Sequence, residues 1–300
     1  MSSNQRNQRN ARTMERARRI ASVAVIATRA TQRASPRLML PAILIVLAGG
    51  MAVGENIDPA NDGSKYAWAE NLAWLNARPG GPGGPGVQVS DSDLTGWAWS
   101  ENAGWISLSC TNRSCAGGAY GVTNDGCGTL SGYAWSENAG WINFAPSGSG
   151  VTINPMTGIF SGRAWSENAG WITFSSAGPN PYRVATGWRR AVPEGSIGLT
   201  VTQAGGSTVL LSWTAVSGAT TYDVVRGGLL ALHGSNGNFQ VATQTCIVNN
   251  APGTSFTTGG TPSAGDGYWF LVRGRNCGGK GTYGGGSEDA GIVASGQDCL

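Results

Sequence analysis

Between residues 64 and 175, apolar and polar positions alternate in bursts too short for a helix. In Leu130-Ser-Gly-Tyr-Ala-Trp-Ser136 and Trp141-Ile-Asn-Phe144 the alternation has the two-residue period of a half-buried strand. The intervening Glu137-Asn-Ala-Gly140 has turn chemistry, and its last glycine supplies the positive φ that closes a four-residue hairpin loop. Gly150-Val-Thr-Ile-Asn-Pro-Met-Thr-Gly-Ile-Phe160 adds a further strand and a Pro-Gly turn, so three short strands per unit is the coarse reading.

This pattern recurs. Ala67-Trp-Ala-Glu-Asn-Leu-Ala-Trp74, Ala98–Trp105, Ala134–Trp141 and Ala164–Trp171 align, and the last three share Ala-Trp-Ser-Glu-Asn-Ala-Gly-Trp. The first tryptophans lie at 68, 99, 135 and 165, a period near 30 that signals a repeat architecture. The Cys110–Cys127 stretch lengthens the second interval. Copy one carries Ala73 in place of the loop glycine and reads as a degenerate cap. A solenoid- or roll-like array of hairpins over 55–190 is the expected arrangement.

The register decides which face the indoles take. With four residues looped out, Trp135 opposes Ile142; if Ser136 joins the loop, Trp135 opposes Trp141, and the pattern leaves both open. Tryptophans at fixed repeat positions are most simply the stacking core between units. The alternative keeps one per repeat exposed as a ladder, which makes Trp99, Trp105, Trp135, Trp141, Trp165 and Trp171 the candidate ligand or partner contacts. The repeated Glu-Asn pairs suit solvated turns. One acid per loop is thin for calcium, and identical repeats do not supply the unlike environments of a glycosidase pair.

From about residue 191 the pattern changes. Strand-like runs at 197–201, 209–213, 221–226, 254–257 and 268–275 predict a β-sandwich over 191–300, and the fold class is all-β.

Composition adds destination. Nine arginines and one acid fall within residues 1–37, giving the leader +8 and leaving −5 for the rest of a chain whose net charge is +3. An uncharged apolar run, Leu38–Gly54, follows directly, so 1–54 reads as a signal peptide or an N-terminal anchor. Either sends the remainder outward, and membrane contact is expected only through this segment. The acidic remainder argues against nucleic acid. Six cysteines, Cys110, Cys115, Cys127, Cys246, Cys277 and Cys299, form no CxxC pair and fit disulfides in an exported chain. Three lie in each half, so either one bridge crosses or a thiol in each half stays free or pairs with another chain. The single histidine, His233, sits in a Gly/Ser/Asn-rich stretch and gives no basis for a metal cluster or a catalytic triad. No cofactor, metal or enzymatic activity is expected.

Two resemblances extend this. The motif G-x-A-W-S-E-N-x-G-W-I resembles a tandem repeat of exported bacterial proteins without assigned function. Val209-Leu-Leu-Ser-Trp213, Thr221-Tyr-Asp-Val-Val-Arg226 and Tyr268–Asn276 resemble the Trp-bearing second, Tyr-bearing third and Tyr-led sixth strands of a fibronectin type III domain. The resemblance implies that Trp213 and Tyr222 are core and that Tyr268 is a corner tyrosine; the long 227–240 stretch departs from the family. Together these features lead to the expectation of a secreted or cell-surface bacterial protein of structural or adhesive role. Its contacts would be a polysaccharide or further copies of itself.

Overall fold

The computed structural model describes residues 56–81, 84–284 and 286–300; the expected leader, 1–54, lies outside them. Hairpin one is β1 (Tyr66–Ala69) and β2 (Ala73–Asn76). Short strands β3 (Gln88–Val89) and β4 (Asp93–Thr95) precede hairpin two, β5 (Trp97–Ser100) and β6 (Gly104–Ser107). Unit three is β7 (Val122–Asn124), β8 (Leu130–Ser136) and β9 (Gly140–Asn143). Unit four is β10 (Val151–Ile153), β11 (Phe160–Ser166) and β12 (Gly170–Thr173).

The hairpins pair edge to edge, β2 with β5, β6 with β8, β9 with β11 and β12 with β1, all antiparallel. The eight strands therefore close into a barrel, where a solenoid- or roll-like array was expected. Closure removes the exposed edges that an open array would leave. An eight-stranded barrel has room inside only for its own side chains. Here they are aliphatic: Ala67, Ala98, Ala134 and Ala164 from the first strands, and Leu75, Ile106, Ile142 and Ile172 from the second, are all buried in one core. An apolar void of about 50 Å³ remains among them.

The register settles the indole question. Trp135 opposes Trp141 and Ser136 opposes Gly140, leaving Glu137-Asn138-Ala139 as the loop. Both tryptophans of a hairpin thus share a face, and alternation with the inward Ala and Ile puts that face outside. The core-stacking expectation fails because the lumen is too narrow for eight indoles.

Along their length, β8 and β11 each change partners. The first half of β8 pairs with β7 and its second half with β9; β11 pairs with β10 and then β12. Gly132 (φ 83) and Gly162 (φ 81) sit at the change, and Gly96 (φ 81) stands at the same place in copy two. A Cβ on any of them would overlap the carbonyl oxygen of Gly121, Gly150 or Gly86 respectively. This is why each of these three motifs opens on glycine.

Beyond β13 (Ser175–Ser176) and β14 (Tyr182–Arg183), the chain returns to the segment that precedes β1. Val184 bridges Lys65 and Thr186 bridges Ile57. Trp188 is buried there, its Nε1 donating to Asp91 Oδ1 at 2.8 Å.

Seven further strands follow: β15 (Leu199–Gly205), β16 (Thr208–Trp213), β17 (Thr221–Gly228), β18 (Thr243–Ala251), β19 (Ser255–Gly259), β20 (Tyr268–Asn276) and β21 (Gly279–Lys280). They form two sheets, ordered β15-β16-β19 and β18-β17-β20-β21. Leu211 and Trp213 from the first share a core with Tyr222, Val224, Val248 and Val272 from the second. The Tyr222 hydroxyl accepts from the Val216 N–H (3.1 Å). Tyr268, expected to be a corner tyrosine, lies half-exposed under the Arg226 guanidinium (4.3 Å). The long 227–240 stretch forms two short helices, Leu229–Gly234 and Phe239–Ala242. Exposed His233 is on the first of them, where a loop was expected. A third helix, Gly286–Ala294, contributes Ile292 to a core with Val225, Tyr283 and Cys299.

All six cysteines pair, as Cys110–Cys115, Cys127–Cys277 and Cys246–Cys299. The second is the bridge that crosses between halves.

Candidate functional site

The Ala-Trp-Ser-Glu-Asn-Ala-Gly-Trp motif divides into parts that build the barrel and parts left outside it. Serine builds. Ser100, Ser136 and Ser166 are buried, and their hydroxyls donate to the carbonyls of Leu72, Ala103 and Ala139 in the preceding loop, at 3.0, 3.1 and 2.6 Å. Asparagine ties the same loops together. Asn102, Asn138 and Asn168 donate Nδ2 to Leu72, Ala103 and Asn138 carbonyls, and Asn71 closes the ring on Asn168 O (3.1 Å). Copy one has Ala69 where the others have serine, and there the Asn71 backbone N–H reaches Ala169 O instead (3.1 Å). Glu70 Oε2 accepts from the Trp171 N–H (3.1 Å), and Glu101 from Trp99 Nε1 (3.2 Å). Glu137 and Glu167 remain exposed.

The tryptophans lie outside. Trp68 and Trp74, Trp99 and Trp105, Trp135 and Trp141, and Trp165 and Trp171 meet edge-to-face across their hairpins, with centroids 4.7–5.0 Å apart. Such cross-strand pairs stabilise a hairpin by about 0.5–1.5 kcal/mol each beyond area burial. In the first three hairpins the second indole remains open to solvent, Trp74, Trp105 and Trp141 being 46–51% exposed, while Trp171 is half-buried.

A third side chain per hairpin flanks that second indole. Tyr66, Trp97 and Tyr133 meet Trp74, Trp105 and Trp141 edge-to-face at 6.1–6.2 Å, and Arg163 lies over Trp171 at 4.6 Å. These residues stand two before the first tryptophan, the x of G-x-A-W in copies two to four, with Lys65 in place of the glycine in copy one. Sequence reasoning did not select them, although strand alternation places them on the indole face. Tyr182 adds to the row against Trp74 (5.1 Å), and burial pushes its phenol up from its ordinary value. All six tryptophans selected from the sequence are on this face, spread around the barrel rather than brought to one point.

The surface deepens at one junction. Between units two and three a groove of about 300 Å³ is lined by Trp99, Trp105 and Trp135 around Ser107. The Cys110–Cys127 insertion supplies one wall through Arg113 and Tyr120, residues that its lack of repetition concealed in the sequence.

Among the described residues no group of three His, Cys, Asp or Glu side chains could hold a metal ion, and no helix is long and apolar enough to cross a membrane. No protein-family model matches the chain, and no curated protein matches it in sequence.

Proposed function

We propose that this chain is an exported bacterial surface or extracellular-matrix protein with a structural or adhesive, non-catalytic role, making contact through the aromatic outer face of its barrel. One observation carries the reading. Each hairpin places its largest side chains on the solvent side as a cross-strand aromatic cluster, and exposed apolar surface of this kind marks interaction sites in soluble proteins. Disulfides throughout the described residues and the Arg-rich, then apolar, leader support an extracytoplasmic location. Burial and stacking would drive the contact, with a polysaccharide or a second copy of the chain as partner.

The C-terminal strands belong in this proposal to a fibronectin type III-like β-sandwich. Supporting it, Trp213 lies on the second strand after residue 195, Tyr222 on the third, and Tyr268 opens the sixth. The two sheets also share one core. A second reading, a carbohydrate-binding module using the repeat tryptophans, draws on the exposed second indoles, whose flat faces suit sugar rings.

The test is adsorption of the full chain, exported so that its disulfides form, to glass, to alkane-coated and to polysaccharide-coated sensor surfaces. A Trp105→Ser, Trp141→Ser variant with an unchanged far-ultraviolet spectrum is run beside it. The proposal expects at least tenfold weaker retention by the variant. Equal retention by both proteins would overturn it.

A further inference from the structure

The four junctions between hairpins repeat the same pairing with different partners. Opposite the first tryptophan of the next unit stand Asn76 (Trp99), Ser107 (Trp135), Asn143 (Trp165) and Thr173 (Trp68). Ser107 is the smallest of the four. It shares the outer face with Trp97 and Trp135 but is buried beneath the insertion, donating to Ser109 O (2.9 Å) and accepting from Asn112 Nδ2 (2.9 Å). The floor therefore sinks at the junction of units two and three, and Trp99, Trp105 and Trp135 stand around the depression.

The insertion completes the site and holds it rigid. Its 3-10 helix, Cys110–Arg113, is closed by the Cys110–Cys115 bridge. Asn112 pins it to the barrel, donating to Gly96 O (2.6 Å) and accepting from the Gly96 N–H (2.9 Å). The anchored helix sets the Arg113 guanidinium over the Trp97 ring at 5.6 Å. Further along, Tyr120 packs against Trp141 at 5.3 Å. Across the groove the unit-three loop presents Glu137 and Asn138, both exposed.

The lining joins flat apolar faces with one cation, one anion and an amide. A polyanion would meet Glu137 and a polycation Arg113. A neutral chain of hydroxylated rings satisfies all of them: ring faces on the indoles, and hydroxyls to guanidinium, carboxylate and amide. We propose that this groove is a binding site for a neutral oligosaccharide, with Trp99, Trp105 and Trp135 as the platform and Arg113 and Glu137 as the hydroxyl partners. The proposal rests on the reading of the outer face as the contact surface and narrows it to one junction and one ligand class.

The test titrates the exported full chain with cellohexaose, chitohexaose, laminarihexaose, xylohexaose and mannohexaose, and with a proline decapeptide, followed by tryptophan fluorescence and calorimetry. The expected result is saturable, one-to-one binding of at least one hexasaccharide. Arg113→Gln and Trp135→Ala each weaken it at least tenfold, Glu137→Gln weakens it severalfold, and Trp165→Ala leaves it unchanged. Arg113→Gln and Glu137→Gln alter exposed side chains, so the test stands even if Trp135→Ala fails to fold. Opening the insertion with Cys110→Ser, Cys115→Ser is expected to weaken binding with the barrel's circular dichroism intact. No binding of any hexasaccharide, binding of the proline peptide alone, or binding lost with Trp165→Ala and kept with Arg113→Gln would each overturn the groove proposal. Surface adsorption measured on the same preparations separates the two readings. Adsorption that persists without saccharide binding removes the groove and leaves the contact face.

Discussion

Gly132 offers the sharpest test of why the motif reads as it does. It lies at the corner where β8 leaves β7 for the barrel, with φ at 83. An alanine there carries a left-handed backbone penalty of about 1 kcal/mol once the lower entropy of its unfolded chain is credited. Its Cβ would also overlap Gly121 O and lie 3.3 Å from Gly121 C. Backbone must then separate, which strains the Tyr133 N–H bond to Gly121 O and the Phe144 N–H bond to Gly132 O, each 3.0 Å long. At about 1 kcal/mol per bond the total reaches about 3 kcal/mol. Gly140 is the control. Its φ is 70, yet a Cβ would meet nothing nearer than Asn168 Nδ2 at 3.7 Å, and copy one already carries Ala73 at the equivalent place with φ 57. Gly140→Ala should therefore cost about 1 kcal/mol. Urea unfolding followed by circular dichroism, with disulfides intact and slopes compared, measures both. A Gly140→Ala loss equal to or larger than that of Gly132→Ala would refute the close-approach argument.

Three further outcomes follow from the geometry. Ser136→Ala removes a buried donor to Ala103 O, which keeps Asn138 Nδ2 as a partner, so urea unfolding should show a loss of about 1 kcal/mol; a neutral result would mean that the serine ring does not hold the loops. Cys127–Cys277 closes a separation of 150 residues, against 5 for Cys110–Cys115. Chain entropy puts the larger loop at up to about 5 kcal/mol and the smaller near about 2, so Cys127→Ser, Cys277→Ser should lower the thermal midpoint more than Cys110→Ser, Cys115→Ser, and the reverse order would contradict this. Burial raises the Asp125 carboxyl, but backbone N–H bonds from Cys127 and Thr129 outweigh it and hold the group below its ordinary value. A lowered folded value gives stability present above the unfolded value near about 3.9 and lost as pH falls through the folded one. Midpoints recorded from pH 6 to pH 2 should thus fall less steeply in Asp125→Asn than in the parent, and parallel curves would remove Asp125 as a cause.

Hairpins, turns and repeat boundaries are legible in the sequence because they depend on local chemistry. The alternation in Leu130–Ser136 and the loop glycine Gly140 specify them without distant partners. Five strand-like runs after residue 196 correspond to β15, β16, β17, β19 and β20 for the same reason. β18 escaped because Thr243–Ala251 lacks a clean alternation, and the two helices after β17 because six and four residues are too few for a helical period to show. Barrel closure was illegible. It depends on β12 pairing with β1, a contact between the ends of the array that no local window contains. The indole face followed from that closure, since only a narrow lumen explains why alanine goes inside and tryptophan outside. The groove was hidden twice over, by the unremarkable Ser107 and by an insertion that breaks the repeat.

The central claim is that the repeat indoles form an exposed contact face around a closed barrel. It is tested most directly by fluorine resonances of the chain labelled with 5-fluorotryptophan, recorded in light and heavy water before and after addition of the surface or saccharide it retains. The chain has 12 tryptophans. Trp188 and Trp213, each 7% exposed, should give no solvent isotope shift. Trp74, Trp105 and Trp141 should shift and then lose that shift on binding. Repeat indoles that are silent to solvent from the outset would contradict the account.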